Sequence, residues 1–474
     1  MESAKIVRTE HSHHELASER GTPVTKLSDP SWAWAPYEPD DERPWNLTRT
    51  GHLYRRAGFG ANWSQLQQAL SDGPRQTLNK LLTPREDAET FNRVHDEYEA
   101  STSSVGGLRA WWLRRMIETP YPLLEKMTLF WHSHLAANGA RVKDARLMRE
   151  YVRLLRNRAL GSFERLLQEI WRNPAVLICL GAEANRKAQP NENLARALMA
   201  NFTVGPGGFT EEDVREAARA FSGWFVLRGR LRYIEREHDG GVKRILGHEG
   251  RFTGEDVVRI LLEQRLTASV VVRKLYGWLI CESKEPNASL IGPLIESFAK
   301  DYDIKTLAET MLRSNLFFSK VAYRARIKCP VEYALGMVRG FEATVSTTQL
   351  AEDLADLGQD LYHPPTVSGW IGGRHWVNSA TVIARHNLAA ALLGGAGSYG
   401  KRIDPWTVAT KHGCSTPKAA KRFLVNLLLE GNLDADVSES VPARALAERN
   451  TAGPDGQLRG LAQVIVTLPE FQLA

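Results

Sequence analysis

The sequence predicts a mainly α protein: a large helical body with a small β-hairpin insertion. Three observations lead to this fold class. Apolar side chains recur at helical spacing along the chain, two segments open with the same helix-capping signal, and one stretch has an extended pattern. Hydrophobic residues make up 43% of the 474 residues and charged residues 24%, which is typical of a globular protein.

The segment "DARLMREYVRLLRNRAL" at 144–160 has the clearest helical pattern. Apolar residues form a stripe on one face and basic residues form a stripe on the other, which is typical of an amphipathic helix. The apolar stripe holds Leu147, Met148, Tyr151, Val152 and Leu155, and the basic stripe holds Arg146, Arg149, Arg153 and Arg156.

Two further helices are predicted to begin with capping boxes. Thr210 precedes Asp213 by three residues, and Thr253 precedes Asp256 by the same spacing. A hydroxyl at the N-cap and a carboxylate three residues later can satisfy each other's free backbone N–H groups. We therefore expect helices to start at both threonines.

Residues 224–247 are predicted to form the β-hairpin. Two runs rich in apolar and long side chains flank Asp239-Gly240, a dipeptide that favours tight hairpin turns.

The chain divides into three predicted regions: a disordered polar arm at 1–40, a main helical domain at 41–395, and C-terminal helices at 396–474 packed on the same body. No apolar run reaches the roughly 18–20 residues of a membrane span, and the N-terminus has no apolar leader, so the expected location is the cytoplasm.

The four cysteines are isolated, a pattern that fits neither a disulfide framework nor a zinc ribbon.

Histidines supply the first candidate site. His132 and His134 occur in "FWHSHL", and on a helix two residues so spaced lie about 200° apart. With His238 and His363 they are candidate ligands for a divalent transition metal, because imidazole suits zinc, iron or manganese. The alternative is that these are core histidines whose ring nitrogens are bonded to backbone groups.

The candidate catalytic residues are His132, His238 and Glu192. An imidazole such as that of His238 could act as a general base, although adjacent Asp239 points to the opposite face of an extended segment. Glu192 lies four residues before Arg196, so the two could also form an ordinary helix ion pair.

The loop "HPPTVSGWIGGRHW" at 363–376 is the best sequence pointer to a binding site. Its prolines and glycines exclude a regular helix, while its tryptophans and basic groups could hold a flat or sugar-like ligand. Trp370, Arg374 and Trp376, with Arg196, are the candidate substrate-binding residues. The alternative is a buried plug, followed by a helix capped at Asn378 or Ser379.

Net charge is +6, and the basic stripe could bind a polyanion, for which an acidic polysaccharide is a better candidate than nucleic acid because no nucleic-acid motif accompanies it. A solvated helix face is the alternative.

Glu332, just after Pro330, is expected to favour a helix start.

Several ordered motifs together resemble the bacterial domain of unknown function 1800 family. These motifs are "HLYRRAGFGA" (52–61), "EKMTLFWHSHL" (125–135), "PNENLARALMANFTVG" (190–205), "HDGGVKRILG" (238–247) and "LGQDLYHPPTVSGWIGGRHWVNSATVIAR" (357–385). The resemblance implies a helical bacterial protein, often encoded beside a sulfatase-like or alkaline-phosphatase-like protein and in many members exported. It also implies glutamates where this chain has Ala197 and Ala200.

The sequence is compatible with two functions. The first is a hydrolase-like or metal-assisted enzyme acting on a polar or anionic carbohydrate-type substrate, with the histidines around a pocket. The second is a non-catalytic binding or assembly partner of the sulfatase-like protein. The alanines at 197 and 200 favour the second function, and the histidines in separate motifs favour the first.

Overall fold

Helices make up nearly all of the regular structure in the computed structural model, which describes residues 27–83, 88–395, 398–400, 402–431 and 454–474. The predicted fold class, mainly α with a small β insertion, is confirmed. Of the predicted N-terminal arm, residues 1–26 lie outside this description, whereas Pro30–Ala33 form a helix in which Ala33 is buried.

The first part of the chain is entirely helical in its regular structure. Its elements are α1 (Pro30–Ala33), α2 (Leu47–Arg56), α3 (Trp63–Leu82), α4 (Ala88–Ser101), α5 (Val105–Glu118), α6 (Pro122–His134), α7 (Gly139–Val142), α8 (Ala145–Arg158), α9 (Phe163–Ile170), α10 (Pro174–Cys179), α11 (Glu192–Arg196), a π-helical turn (Ala197–Phe202) and α12 (Glu211–Ala220).

Short strands come next, and then helices return. The elements are β1 (Trp224–Leu227), β2 (Arg230–Tyr233), a 3₁₀ turn (Glu235–Glu237), β3 (Lys243–Ile245), β4 (His248–Gly250), α13 (Gly254–Glu263), α14 (Arg265–Leu279), α15 (Ala288–Asp301), α16 (Ile304–Arg313), α17 (Pro330–Gly340), α18 (Thr347–Asp356), a 3₁₀ turn (Gly373–Trp376), α19 (Ser379–Leu393), α20 (Pro405–Lys411), α21 (Pro417–Leu429), α22 (Pro454–Thr467) and α23 (Pro469–Gln472).

The predicted helix starts are confirmed. Thr210 with Asp213 and Thr253 with Asp256 form reciprocal capping boxes at the starts of α12 and α13. The amphipathic helix α8 begins after Asp144, whose side chain accepts hydrogen bonds from two backbone N–H groups of the first turn. Local hydrogen bonding fixes where these helices begin, which is why the sequence alone locates them.

The predicted hairpin turn at Asp239-Gly240 is wrong, because there are two short hairpins. β1 pairs with β2 through a turn at Arg228-Gly229, and β3 pairs with β4 through a turn at Leu246-Gly247. All four turn residues have positive φ, as the hairpin turn that suits twisted strands requires. Asp239 lies in the connection between them, held by Arg219 of α12, so its bonds serve attachment rather than a turn.

Helix α6 lies at the centre of the structure, since eleven of its thirteen residues are buried. Among the described residues, the core around it is one cluster with members from Ala33 to Phe471, and it includes four fully buried tryptophans: Trp111, Trp112, Trp131 and Trp171. None of the described helices is long and apolar enough to span a membrane.

Glu332 forms a buried ion cluster with Lys126 of α6. Its carboxylate accepts hydrogen bonds from Lys126 Nζ, from Arg326 Nη2 and from Cys329 N, the last at 2.9 Å. Lys126 also donates to the carbonyls of Arg55 and Gly58, at 3.1 and 2.7 Å. The cluster therefore connects α6, the end of α2 and the start of α17.

Burial and pairing have opposite effects on the charges of this cluster. Burial alone would raise the pKa of Glu332, but the cations of Arg326 and Lys126 hold it well below its usual range. Burial lowers the pKa of Lys126 to about 8, against the attraction of Glu332. The charges of Glu332 and Lys126 are therefore tolerated in the core only because each lies beside the other.

A second buried carboxylate, Glu125, is the neighbour of Lys126 on α6. It accepts hydrogen bonds from Arg115 Nε at 2.6 Å, Arg156 Nε at 3.0 Å and Trp112 Nε1 at 2.9 Å. Adjacent residues on a helix point in different directions, so α6 is attached by ion pairs to two separate parts of the core.

Replacing Glu332 with Gln should lower the free energy of unfolding by about 3–5 kcal/mol, because the buried cations of Lys126 and Arg326 would lose the carboxylate that both of them bond. Urea denaturation at pH 7 measures this. The control is Glu352→Gln, which breaks a solvent-exposed pair with Arg109 and should cost much less. Equal, small losses in both variants would contradict the structural role of the cluster.

Candidate functional site

The loop at 363–376 lies over the C-terminal end of α6. Gly369, at φ +79°, sits directly on the carbonyl oxygen of Ser133, where a Cβ atom would collide with it. Asn138 Nδ2 donates to the carbonyl of Pro364 at 2.8 Å, and Gly139 N donates to that of Tyr362 at 2.7 Å. Only glycine at 369 permits this close approach of the loop to α6.

Both ring nitrogens of His132 are used by the fold. Nε2 accepts a hydrogen bond from Tyr362 N at 3.1 Å, and Nδ1 lies 3.3 Å from Tyr151 Oη. Because the Tyr151 hydroxyl donates to the carbonyl of Leu135, His132 Nδ1 must be the donor to Tyr151. Trp370 packs edge-on against the ring. Burial lowers the pKa of His132 to about 3, so the imidazole is neutral and fully bonded.

His134, unlike His132, is in contact with a lysine side chain. Its Nδ1 lies 2.6 Å from Lys274 Nζ, which also donates to the Asn201 carbonyl at 3.2 Å. Burial, and then the charge of Lys274, lower the pKa of His134 well below its ordinary value, and burial lowers the pKa of Lys274 to about 8. His134 Nδ1 is therefore an acceptor for a surface lysine that reaches down to the end of α6.

The π-helical turn Ala197–Phe202 is attached to the loop through Asn201. Its Oδ1 accepts a hydrogen bond from Ser368 Oγ at 2.8 Å. Ala197 is buried in this turn, and Ala200 is half-buried. π-Helical turns are rare and often occur at functional sites, so the turn and the loop together mark this end of α6.

The predicted substrate-binding residues are only partly together. Trp370 is half-buried against His132, Trp376 is buried, and Arg374 is exposed on the same loop. Arg196 is placed in an exposed ion network, where it donates to Glu211 at 2.7 Å and to Glu192 at 3.2 Å. The ion-pair alternative therefore accounts for Arg196 and Glu192.

His238 and Asp239 do not form a catalytic dyad. The Nδ1 of His238 donates to the carbonyl of Ser222 at 3.0 Å. The carboxylate of Asp239 accepts from Arg219 Nε at 2.7 Å, and this hydrogen bond helps lower the pKa of Asp239 to about 2. Asp239 thus attaches the hairpin region to α12, and His238 attaches it to Ser222 just beyond the end of that helix.

The four predicted metal ligands, His132, His134, His238 and His363, do not form one ligand set. Among the described residues, no group of three or more histidine, cysteine, aspartate or glutamate side chains is arranged to hold a metal ion. The reasons are physical: His132 has no free nitrogen, His134 faces the Lys274 cation, and His363 Nδ1 lies 3.1 Å from Asp360 Oδ2. The alternative of bonded core histidines fits His132.

The basic stripe of α8 is largely used within the protein. Arg156 and Arg153 pair with the buried carboxylates of Glu125 and Glu99. Arg149 donates to backbone carbonyls at the end of α4, and Arg146 pairs with Glu150 at 3.0 Å. The stripe therefore does not present four free cations to a polyanion.

Three residues of this region were not predicted from the sequence: Lys274, Asn201 and Ser368. A lysine within the apolar run "SVVVRKLYGWL" is an available signal, since lysine seldom lies among apolar residues without a partner. No local pattern, however, connects it to His134 on a helix far away in the chain.

Replacing His132 with Gln should weaken the pH dependence of stability. A histidine with a lowered pKa in the folded state binds its proton only on unfolding, so stability is lost as pH falls from about 6.5 towards about 3. Wild type should lose about 1.4 kcal/mol per pH unit more than the variant in this window.

Urea denaturation between pH 7 and pH 5 measures that difference. The control is His375→Gln, which removes an exposed imidazole. Equal slopes in wild type and His132→Gln would show that His132 is not buried as a neutral ring.

The comparisons with known proteins identify one family. The search of curated proteins found no match, and neither did the search of solved structures. The family model described as "Protein of unknown function (DUF1800)" matches residues 52–473, which is nearly the whole chain and agrees with the resemblance seen in the sequence motifs. The chain therefore belongs to the DUF1800 family.

Proposed function

We propose that this protein is a non-catalytic assembly partner of a sulfatase-like protein encoded nearby, and that it docks through the 371–383 surface. This surface consists of the second half of the loop and the first turns of α19. The observation that carries the proposal is the exposure of four large apolar side chains within these thirteen residues: Ile371, Val377, Val382 and Ile383.

The degree of exposure supports a binding role. Ile371 is 68% exposed, Ile383 62%, Val382 50% and Val377 37%. In the described part of the chain, ten large hydrophobic residues are this exposed, and these are four of them. Single exposed apolar residues are ordinary, whereas a group of them on one short segment is typical of an interaction site.

The surface is held in position before any partner binds. Trp376 is buried beneath it, and Thr381 Oγ1 donates to the Trp376 carbonyl at 3.2 Å. Asn378 and Thr381 form the capping box that begins α19. A preformed surface loses less conformational entropy on binding than a flexible one, so its apolar area contributes more of its hydrophobic free energy to affinity.

Polar groups lie on the same segment as the apolar residues, and the rim of a protein interface is usually polar. Arg374 and His375 are exposed on the loop, and the carboxylate of Glu282 lies close to Gly373. Charged groups of both signs at the rim would favour one orientation of the partner over others.

The other candidate function, a hydrolase-like or metal-assisted enzyme acting on an anionic carbohydrate, has one supporting observation: the contact between Lys274 and His134. Its predicted catalytic residues do not support it further, because His132 is fully bonded, His238 bonds a backbone carbonyl, and Glu192 is in an exposed ion pair. We therefore place the assembly function first.

The double substitution Ile371→Asp with Ile383→Asp should weaken binding to the purified sulfatase-like protein by at least about tenfold, because carboxylates would then have to be buried in an apolar interface. Biolayer interferometry with the two full-length proteins measures the dissociation constants.

The matched control is Leu227→Asp with Leu266→Asp. These residues are 50% and 49% exposed but lie outside the 371–383 surface. The control should bind like wild type. The proposal fails if wild type does not bind, or if both double variants bind equally well.

A further inference from the structure

A polar cleft of about 790 Å³ opens at the end of α17. Its walls are the starts of α3 and α18, the end of α5 and the segment at 343–346. Its lining includes hydroxyl, amide, carboxylate and guanidinium groups, among them those of Asn62, Gln65, Arg114, Glu118, Arg339 and Thr348, beside a smaller apolar part that includes Ile117 and Val345. No residue of the 371–383 surface lines it, so a ligand bound in this cleft would be independent of the proposed function.

Arg339 is the unusual group in this cleft. It is 7% exposed, and its Nη1 donates to the carbonyls of Met116 and Ile117 at 3.1 and 2.6 Å. Its Nε has no hydrogen-bond partner, and no carboxylate of the described residues pairs with it. Burial lowers the pKa of Arg339 to about 10, so it stays cationic at neutral pH.

A buried guanidinium without a counter-charge is costly, and an anion in the cleft would supply that charge. Arginine is well suited to this role, because its planar fork matches the geometry of tetrahedral and planar oxyanions.

The start of α18 lines the same cleft. Ser346 is the N-cap, and the N–H groups of Thr347 and Thr348 belong to the first turn, where a helix has no acceptor for them. The hydroxyls of Ser346, Thr347 and Thr348 add further donors. A ten-residue helix that directs its N-terminus into a cleft favours an anion there.

The carboxylates of the cleft already have cationic partners. Glu118 accepts from Arg114 Nε at 3.0 Å and lies 3.2 Å from His95 Nε2. Glu342 pairs with Lys411 and lies 3.1 Å from His412 Nε2. Neither carboxylate reaches Arg339, so the guanidinium is the group whose charge remains to be balanced.

We infer that this cleft binds a sugar carrying a phosphate or sulfate group. The oxyanion lies between Arg339 and the start of α18, and the sugar hydroxyls bond the amides of Asn62 and Gln65 and the carboxylate of Glu118. Phosphate and sulfate esters share the tetrahedral oxyanion that these donors recognise, so the test includes both.

Isothermal titration calorimetry of the full-length protein tests the inference with glucose 6-phosphate, glucose 6-sulfate, glucose, inorganic phosphate and inorganic sulfate. At least one sugar ester should bind at least about tenfold more tightly than glucose, because only the ester supplies the counter-charge. If neither ester binds, the inference is overturned. If the inorganic ions bind as tightly as the esters, the sugar part of it is overturned.

Thr348→Asp locates the site. A carboxylate at this second helical position repels an anion in the cleft, yet it favours the helix, so the variant should fold and bind the ester at least about tenfold more weakly. The matched control is Ser289→Asp, at the same position of α15 and outside the cleft, which should bind like wild type.

Arg339→Gln should also weaken ester binding, with the thermal unfolding midpoint measured alongside because Arg339 bonds two backbone carbonyls. If this variant does not fold, Thr348→Asp still decides the matter: ester binding unchanged from wild type in that variant would overturn the inference.

Discussion

The buried carboxylate of Glu332, with its two cations Lys126 and Arg326, is the interaction on which the rest of the structure depends. It fixes α6 against the end of α2 and the start of α17, and Glu125 fixes the same helix on another side. Ion pairs of this kind tolerate little displacement, because a charge left without its partner in the core is strongly unfavourable. The end of α6 therefore has a defined position, and the loop at 363–376 packs on it through Gly369.

That position explains why a histidine-rich motif need not be a metal site. His132 and His134 lie in the last turn of α6 and face different neighbours. One is bonded to the backbone and a tyrosine, and the other to a lysine. The loop packs on this end through Gly369, with Trp376 buried, Trp370 half-buried and Ile371 exposed. Thus the loop that bonds His132 through Tyr362 N also carries the exposed side chain of Ile371.

The parts of the fold that local chemistry controls could be predicted from the sequence. The helix starts at Thr210, Thr253 and Asn378 follow from side chains bonding backbone groups within three residues. The hairpin turns could not be predicted in this way, because Arg228 and Leu246 adopt positive φ although neither residue type is typical of such turns. Asp239-Gly240 is a typical turn sequence, but the Asp239 carboxylate bonds Arg219 and the dipeptide does not form a hairpin turn. Contacts such as Lys274 with His134 join distant segments, and no pattern in either segment specifies the other.

Hydrogen–deuterium exchange of the full-length protein, alone and with the purified sulfatase-like protein, tests the central claim most directly. The amides of residues 369–386 should exchange more slowly in the complex, because the partner would exclude water from the loop and the first turns of α19. Unchanged exchange across these residues in a complex that forms, with protection elsewhere, would contradict the assignment of this surface. The absence of any complex would contradict the assembly function itself.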